Sequence, residues 1–447
     1  MPDLRSDLQV IYKRALDAVN PSRVLTKKLR RSGGILFIDD REYSLSTFRK
    51  IFVIGAGKAS LAMSQALLGI LGDRVTSGIV ATRDLPRDFK PLPGIKVRQT
   101  GHPNPDARGV ATSEEIIEFL KDEVSPKDLL ILLVSGGGSA LLPAPVGGIT
   151  LSEKQEVTSL LINCGASISE INIIRKHLSK LKGGRILEYT NRATLLCLMI
   201  SDVVGDDLSS IASGLTAPDP SSFSDCLAIF KKYRLLGRTP PGVLKHIRRN
   251  ISADINSQET LRGSDPRFKQ VHNVILANNR LALEAAAETA IELGYTSHIL
   301  SSSVQGDVGN LVERTLHLTN SIIKNGSPFK PPCCVLSGGE ITVKVTGDGK
   351  GGRNQEFALR CIKALDRWKG KDLLLASIGT DGSDGPTEAA GALVTPTSAG
   401  RALKKGLDVE SYLERNDAYH FFQALGDLIL TGPTGTNVMD LHISLFR

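Results

Sequence analysis

No apolar run in this sequence approaches the roughly 20 residues a membrane-spanning helix requires; the longest are Leu129–Val134 and Leu195–Ile200. A bilayer span is therefore not expected. The six cysteines, Cys164, Cys197, Cys226, Cys333, Cys334 and Cys361, include no CxxC pair and no His/Cys ligand spacing. Free buried thiols are expected in place of a disulfide framework or a zinc site. The N-terminus, MPDLRSDLQV, has acids where a secretory signal carries a basic region and an apolar stretch, which points to the cytoplasm. Charge is unevenly placed: Lys231–Asn250 holds seven Lys/Arg and no acid, and the first 50 residues hold 11 Lys/Arg against six Asp/Glu. Neither stretch carries a helix-turn-helix, RRM or KH signature, so no nucleic-acid partner is expected. A solvated basic face, or a field that steers small anions, accounts for the +8 charge.

What is present is an ordinary globular composition, 41% hydrophobic and 23% charged over 447 residues. That length is too great for one core, since cores stop growing at roughly 250–300 residues, and two domains are the prior. Leu4, Leu8, Ile11, Ala15 and Leu16 recur at helical spacing up to Asn20-Pro21, predicting an amphipathic first helix. Short buried strands at Ile51–Ile54, Gly78–Thr82, Leu129–Val134 and Thr194–Ile200 then alternate with helices near 59–71, 111–123, 153–164 and 170–181. This rhythm predicts a doubly wound parallel sheet. It lapses over 236–268, with Pro240-Pro241 and the polar run SADINSQETLRGSDPRF, which reads as a linker. A second α/β pattern follows, with strands at Val274–Ala277, Thr296–Leu300, Cys334–Ser337 and Ile341–Thr346 and helices at Asn279–Leu293, 308–324 and 353–366. The two strands around SGGE suggest a hairpin and a mixed sheet.

Four predicted strands end in a glycine-rich turn: Gly55-Ala56-Gly57-Lys58, Ser135-Gly136-Gly137-Gly138-Ser139, Ser337-Gly338-Gly339-Glu340 and Gly379-Thr380-Asp381-Gly382. Glycine at the carboxyl end of a strand lets backbone N–H groups cradle an oxyanion, so several such turns favour an anionic ligand. The first turn is neither a dinucleotide fingerprint nor a Walker A loop. Ser60 replaces the third glycine, Thr82-Arg83-Asp84 closes the second strand, Phe52 stands where Walker A needs glycine, and Ala59 follows the lysine. Lys58 falls at a predicted helix start, where the dipole disfavours a cation; it is either tolerated in solvent or aimed at a phosphate.

Asp202, first after a buried strand, and Asp381 and Asp384 in GTDGSDG are candidate oxygen ligands for magnesium, while Asp206 and Asp207 read as turn and cap residues. Gly347, Gly349, Gly351 and Gly352 form a pliant lead-in to a helix that opens with Arg353, a residue suited to clamping phosphate. Arg175-Lys176-His177 is a second cationic group, either a receptor for a substrate carboxylate or a solvated helix face.

The blocks VIGAGKAS, GHPNPD, LVSGGGSALL, IRKHLSKLKGG, SDVVGDDLSSIASG, LSGGEITV, GGRNQE, GTDGSDGPTEAAGA and TGPTGTNVMDL, in this order from residue 53 to 441, resemble those of the type II glycerate 2-kinases, whose C-terminal part is called the MOFRL domain. The resemblance implies a larger Rossmann-like domain over 1–235, a linker over 236–268 and a smaller mixed-sheet MOFRL domain over 269–447. The first helix is a candidate to dock on the second domain. It further implies an active site in a cleft between the domains, where ATP, with magnesium or another divalent cation, phosphorylates the 2-hydroxyl of D-glycerate. A monomer or homodimer is expected. By matching motifs the catalytic positions fall on Lys58 and Arg353, joined by Asp202. Phosphate and nucleotide contacts fall on Gly55, Gly57, Ser135, Gly136, Gly137, Gly138, Ser139, Gly338, Gly339 and Asp381. Substrate contacts fall on His102, Asn104, Arg175 and Lys176, and metal contacts on Asp202, Asp381 and Asp384. Leu215 and Ile174 depart from the pattern, and neither alters a charged group. The family has also been labelled hydroxypyruvate reductase, an alternative that the absent dinucleotide fingerprint opposes. A non-catalytic sensor of sugar acids or phosphate is the remaining alternative, opposed by Lys58, Arg353 and the acidic turns.

Overall fold

Apolar runs too uniform for half-exposed strands build the first sheet, in the order Ile95–Gln99, Val75–Thr82, Ile51–Ala56, Leu129–Val134, Thr194–Ile200, Val271–Ala277. The first five pair in parallel, with Ile51 opposite Leu129 and Leu129 opposite Thr194. Every residue of Leu129–Val134 is 2% exposed or less, the two-sided burial that removes any alternation from the sequence. The structure, a computed structural model, describes residues 3–86, 88–252 and 259–447. No helix among them is long and apolar enough to cross a membrane.

The chain divides into two compact units. One comprises Val24–Ser201 and Asp206–Leu276 and contains the parallel sheet. Its short antiparallel sheet, Leu29–Ser32, Ile35–Ile38 and Arg41–Ser44, had no counterpart in the sequence reading. The strand expected at Val274–Ala277 to open the second domain runs over Val271–Ala277 and is the edge strand of this first sheet. The stretch expected as a linker is also part of this unit, apart from 253–258, which lie outside the described residues. Pro241 starts a helix, Pro241–Ile251, where its fixed φ suits the first turn. Val243 and Ile247 join Phe223 and Phe230 in a buried cluster while Lys245, Arg248 and Arg249 stay exposed. The basic run is thus the outer face of a packed helix.

The other unit comprises Met1–Arg23, Asp202–Gly205 and Ala277–Arg447. Its sheet runs Thr296–Asp307, Cys333–Thr342, Asp440–Phe446, Leu373–Gly379, Gly391–Val394, Leu428–Ile429. The first pair is parallel and the rest antiparallel, the mixed sheet expected. The first helix, Leu4–Ala18, packs on Asn279–Glu292 of this unit. Its buried Asp7 accepts a hydrogen bond from Tyr295 Oη at 2.6 Å and pairs with Arg447.

The predicted hairpin around SGGE is instead one strand, Cys333–Thr342, continuous through both glycines. Gly338 faces Leu441 and Gly339 faces Asp440 and Val304. A Cβ on Gly338 would stand 2.1 Å from Asn279 Oδ1, and one on Gly339 2.2 Å from Val304 O. These glycines admit neighbours at close range inside a sheet; they do not form a phosphate-binding turn.

Candidate active site

Lys58 follows Ile51–Ala56 and precedes the helix Ser60–Leu71 by two residues, so it lies outside the first helical turn that the sequence suggested. The backbone donors around it are engaged within the protein. Gly57 N donates to Ala81 O at 3.3 Å, Lys58 N to Gly136 O at 2.9 Å, and Ala59 N to Ser135 Oγ at 2.9 Å. Gly55 lies within the strand, and a Cβ there would meet Val80 at 3.0 Å. Gly55 and Gly57 therefore serve close packing rather than the phosphate cradle assigned to them. The Lys58 side chain is half-buried.

The next turn differs. Ser135-Gly136-Gly137-Gly138-Ser139 follows Leu129–Val134, with Gly137 at φ 86°. Ser135 N donates to Ala56 O and Gly138 N to Ser135 O, while the N–H groups of Gly136, Gly137 and Ser139 make no hydrogen bond among the described residues. Of the five residues expected to contact phosphate here, Gly136, Gly137 and Ser139 thus keep an open amide and Ser135 and Gly138 do not. A Cβ on Gly137 would stand 2.8 Å from His102 Cδ2, so glycine is what lets the imidazole lie against this turn. Asn104 is exposed nearby in sequence. Ser139 Oγ lies 2.9 Å from Ser213 Oγ, which donates to Asn172 Oδ1 at 3.3 Å. Ala212 and Ser213 hold left-handed φ values of 48° and 59°, backbone strain of a kind that collects at ligand sites.

The Arg175-Lys176-His177 group separates on folding. His177 is buried, 2.9 Å from Ile173 O and 3.1 Å from Glu259. Lys176 is buried against Asp219 at 3.4 Å, so the substrate contact expected of it is withdrawn. Arg175 stays half-buried and makes no hydrogen bond among the described residues. Asp207 accepts from Ser209 N, Ser209 Oγ and Ser210 Oγ at 2.7–3.0 Å, the turn chemistry expected of it.

In the second unit Arg353 opens the helix Arg353–Leu365. Its Nε and Nη2 donate to the two oxygens of fully buried Asp440 at 2.7 and 3.1 Å, and its Nη1 donates to Glu340 at 2.8 Å. Burial alone would lower the proton affinity of Arg353, but Asp440 and then Glu340 outweigh it and raise it. Three of the five guanidinium donors are thus engaged, and the fork is held in one orientation. The glycine lead-in is pinned, contrary to its pliant look. Gly349 N donates to Arg415 O at 2.8 Å and Gly347 N to Asn416 Oδ1 at 2.9 Å. A Cβ on Gly352 would stand 2.3 Å from Asp384.

Asp384 is not available to a metal. Its Oδ1 accepts from Asn354 N and Nδ2 at 3.1 and 3.2 Å, and its Oδ2 from Gln355 N and Nε2 at 2.8 and 3.1 Å. It caps the helix that carries Arg353. Asp384→Ala is expected to lower stability by about 3 kcal/mol, as loss of a buried, charged cap with several donors implies. Urea unfolding would measure it, and an unchanged midpoint would contradict the capping role. Asp381 Oδ1 accepts from Ser383 N and Oγ at 3.2 and 3.3 Å. Half-buried Asp202 accepts from Asn437 Nδ2 at 3.5 Å. Magnesium typically takes one or two carboxylates besides water and phosphate, and Asp384, with both oxygens engaged, does not meet that need.

The sequence reading assigned no role to Asp440 or Asn437, although both lie in the quoted block TGPTGTNVMDL. Their partners are 87 and 235 residues away, a distance that no local pattern spans.

Open amide donors, a lysine, an oriented arginine and carboxylates are the parts with which kinases hold transferring phosphates, and the chain is an α/β enzyme of that class. The MOFRL family matches residues 333–440, and a family described as a domain of unknown function (DUF4147) matches residues 7–248. The chain is 36% identical to the glycerate 2-kinase of Pyrococcus horikoshii, over 96% of its own length and 94% of that protein. It is 39% identical to a protein of Agrobacterium vitis named provisionally as a hydroxypyruvate reductase, over 88% of its own length and 98% of that one. The crystal structure of glycerate kinase from Thermotoga maritima matches it with a TM-score of 0.83 at 35% identity, covering 98% of each chain. The chain belongs to the MOFRL family of glycerate kinases.

Proposed function

We propose that this enzyme transfers the γ-phosphoryl group of ATP, entering as its magnesium complex, to the 2-hydroxyl of D-glycerate in the cytosol. The hydroxyl oxygen forms a bond to the γ-phosphorus as the bond from that phosphorus to the β,γ-bridging oxygen breaks. The products are 2-phosphoglycerate, ADP and a proton. The similarity to named glycerate kinases over nearly the whole chain carries the reading. Arg353, pre-set by Asp440, suits it as the clamp on the transferring group. Lys58 offsets the developing charge, and the amides of Gly136, Gly137 and Ser139 take phosphate oxygens. Asp202 and Asp381 are the proposed ligands of the magnesium on ATP, and His102, Asn104 and Arg175 the proposed contacts to glycerate.

The name of the Agrobacterium vitis relative favours a second reading, reduction of hydroxypyruvate. Against it, a dinucleotide pyrophosphate sits on backbone donors of the first strand-to-helix turn, and here Gly57, Lys58 and Ala59 have theirs engaged. Purified protein given D-glycerate, ATP and magnesium is expected to form ADP only when all three are present. The product is expected to feed enolase without a mutase. NADH oxidation by hydroxypyruvate without ADP formation would sink the kinase reading; a requirement for mutase would move the phosphate to the 3-position.

A further inference from the structure

Lys154, Lys182 and Arg175 are gathered in the parallel-sheet unit, and none of them pairs with an acid among the described residues. Lys182 Nζ donates to Leu142 O at 2.6 Å, and Lys154 Nζ donates to Pro143 O at 2.6 Å and Leu178 O at 3.1 Å. Both side chains are buried, at 1% and 6% exposure, and their partners are main-chain carbonyls just beyond the Ser135–Ser139 turn and at the end of the helix Ile168–His177. Burial, and after it the charge of Arg175, brings the Lys182 ammonium down to about 7. Burial, then Lys182 and Arg175, lowers Lys154 as well.

The acids on nearby elements are committed elsewhere: Glu170 to Lys232, Asp219 to Lys176, and Glu188 to Arg185. Buried like charges without a counter-ion are costly, by several kcal/mol per ion. A chain that keeps them lowers that cost whenever an anion arrives. Arg175 is the member of the group that reaches solvent. Asn172 lies one turn earlier on the same helix face; its Oδ1 is held by Ser213, and its Nδ2 makes no hydrogen bond among the described residues.

We propose that Arg175, flanked by Asn172 and backed by Lys182 and Lys154, receives the carboxylate of the acceptor substrate. This rests on the glycerate reading above and assigns the group that separates a hydroxy acid from a neutral polyol. A planar guanidinium whose five donors make no hydrogen bond among the described residues matches a carboxylate bidentately, and an arriving anion would favour the protonated forms of Lys182 and Lys154 behind it. Phosphate oxygens would find the same chemistry attractive, so the test separates the two sources.

Calorimetric titration of the full-length protein with D-glycerate, glycerol and ATP, alongside steady-state kinetics, makes the test. Arg175→Gln is expected to weaken D-glycerate binding and raise its KM by about 10–100-fold, the loss of one charged hydrogen-bonded contact. Saturating kcat and ATP affinity should stay within about threefold. Lys182→Met should shift KM for glycerate in the same direction by a smaller factor. The Arg175 side chain makes no hydrogen bond among the described residues, so the glutamine variant should fold, and the Tm of each variant guards against a trivial loss. Unchanged glycerate affinity in Arg175→Gln would overturn the proposal. So would weakened ATP binding with glycerate binding intact, which would assign the cluster to phosphate. A wild-type enzyme that neither binds nor phosphorylates glycerate would instead remove the reading of the reaction, and the carboxylate assignment with it.

Discussion

Lys58→Ala is expected to lower kcat by about 10²–10³-fold, the cost of removing one preorganised donor from developing negative charge. KM for glycerate should change by less than about tenfold, because a contact that tightens in the transition state contributes little to ground-state binding. The structure sharpens this expectation. The main-chain donors of Gly57, Lys58 and Ala59 are all engaged with neighbouring backbone or Ser135. No amide of its own turn is therefore open to take over the role of the ammonium when it is removed. Steady-state kinetics with a melting curve separates a chemical defect from a folding one. A variant with near-normal kcat would make Lys58 a surface lysine and nothing more.

Arg353→Lys should lose about 10³-fold in kcat, within the range observed when a transition-state arginine is removed. Charge is conserved, so the loss would measure geometry. Arg353 occupies both oxygens of Asp440 through Nε and Nη2 and reaches Glu340 through Nη1. A lysine is a point charge with three rotatable donors and cannot satisfy both acids and still present a fork to phosphate. The substitution also leaves Asp440, which is fully buried, with poorer hydrogen bonding, so a Tm lower by a few degrees should accompany the loss. Retention of nearly full turnover would remove Arg353 from the chemistry.

Legibility followed the range of the interaction. Leu129–Val134 and Thr194–Ile200 were readable to the residue, because a strand buried on both faces must be continuously apolar. The helix Asn279–Glu292 was readable to within one residue from the run LALEAAAETAIEL, and the structure adds the cap on its start from the side chain of Asn278. The span 236–268 misled, since a double proline and a basic run look alike in a linker and on a surface helix. Only the packing of Val243 and Ile247 distinguishes them.

The sequence alone determined the α/β class, the alternation of strands and helices, and the identity of Lys58 and Arg353 as cations beside glycine-rich turns. These are local properties, fixed by periodicity and by what glycine permits. Tertiary structure decided which glycines keep an open amide and which merely yield space: Gly136 and Gly137 keep theirs unengaged among the described residues, whereas Gly55, Gly57, Gly338 and Gly339 admit a neighbour. It also decided which charges remain available. Lys176 is consumed by Asp219 and Asp384 by a helix end, while Arg175 is left without a partner among the described residues. A charged group's role depends on whether an opposite charge reaches it from a distant part of the chain, and that is settled only when the chain folds.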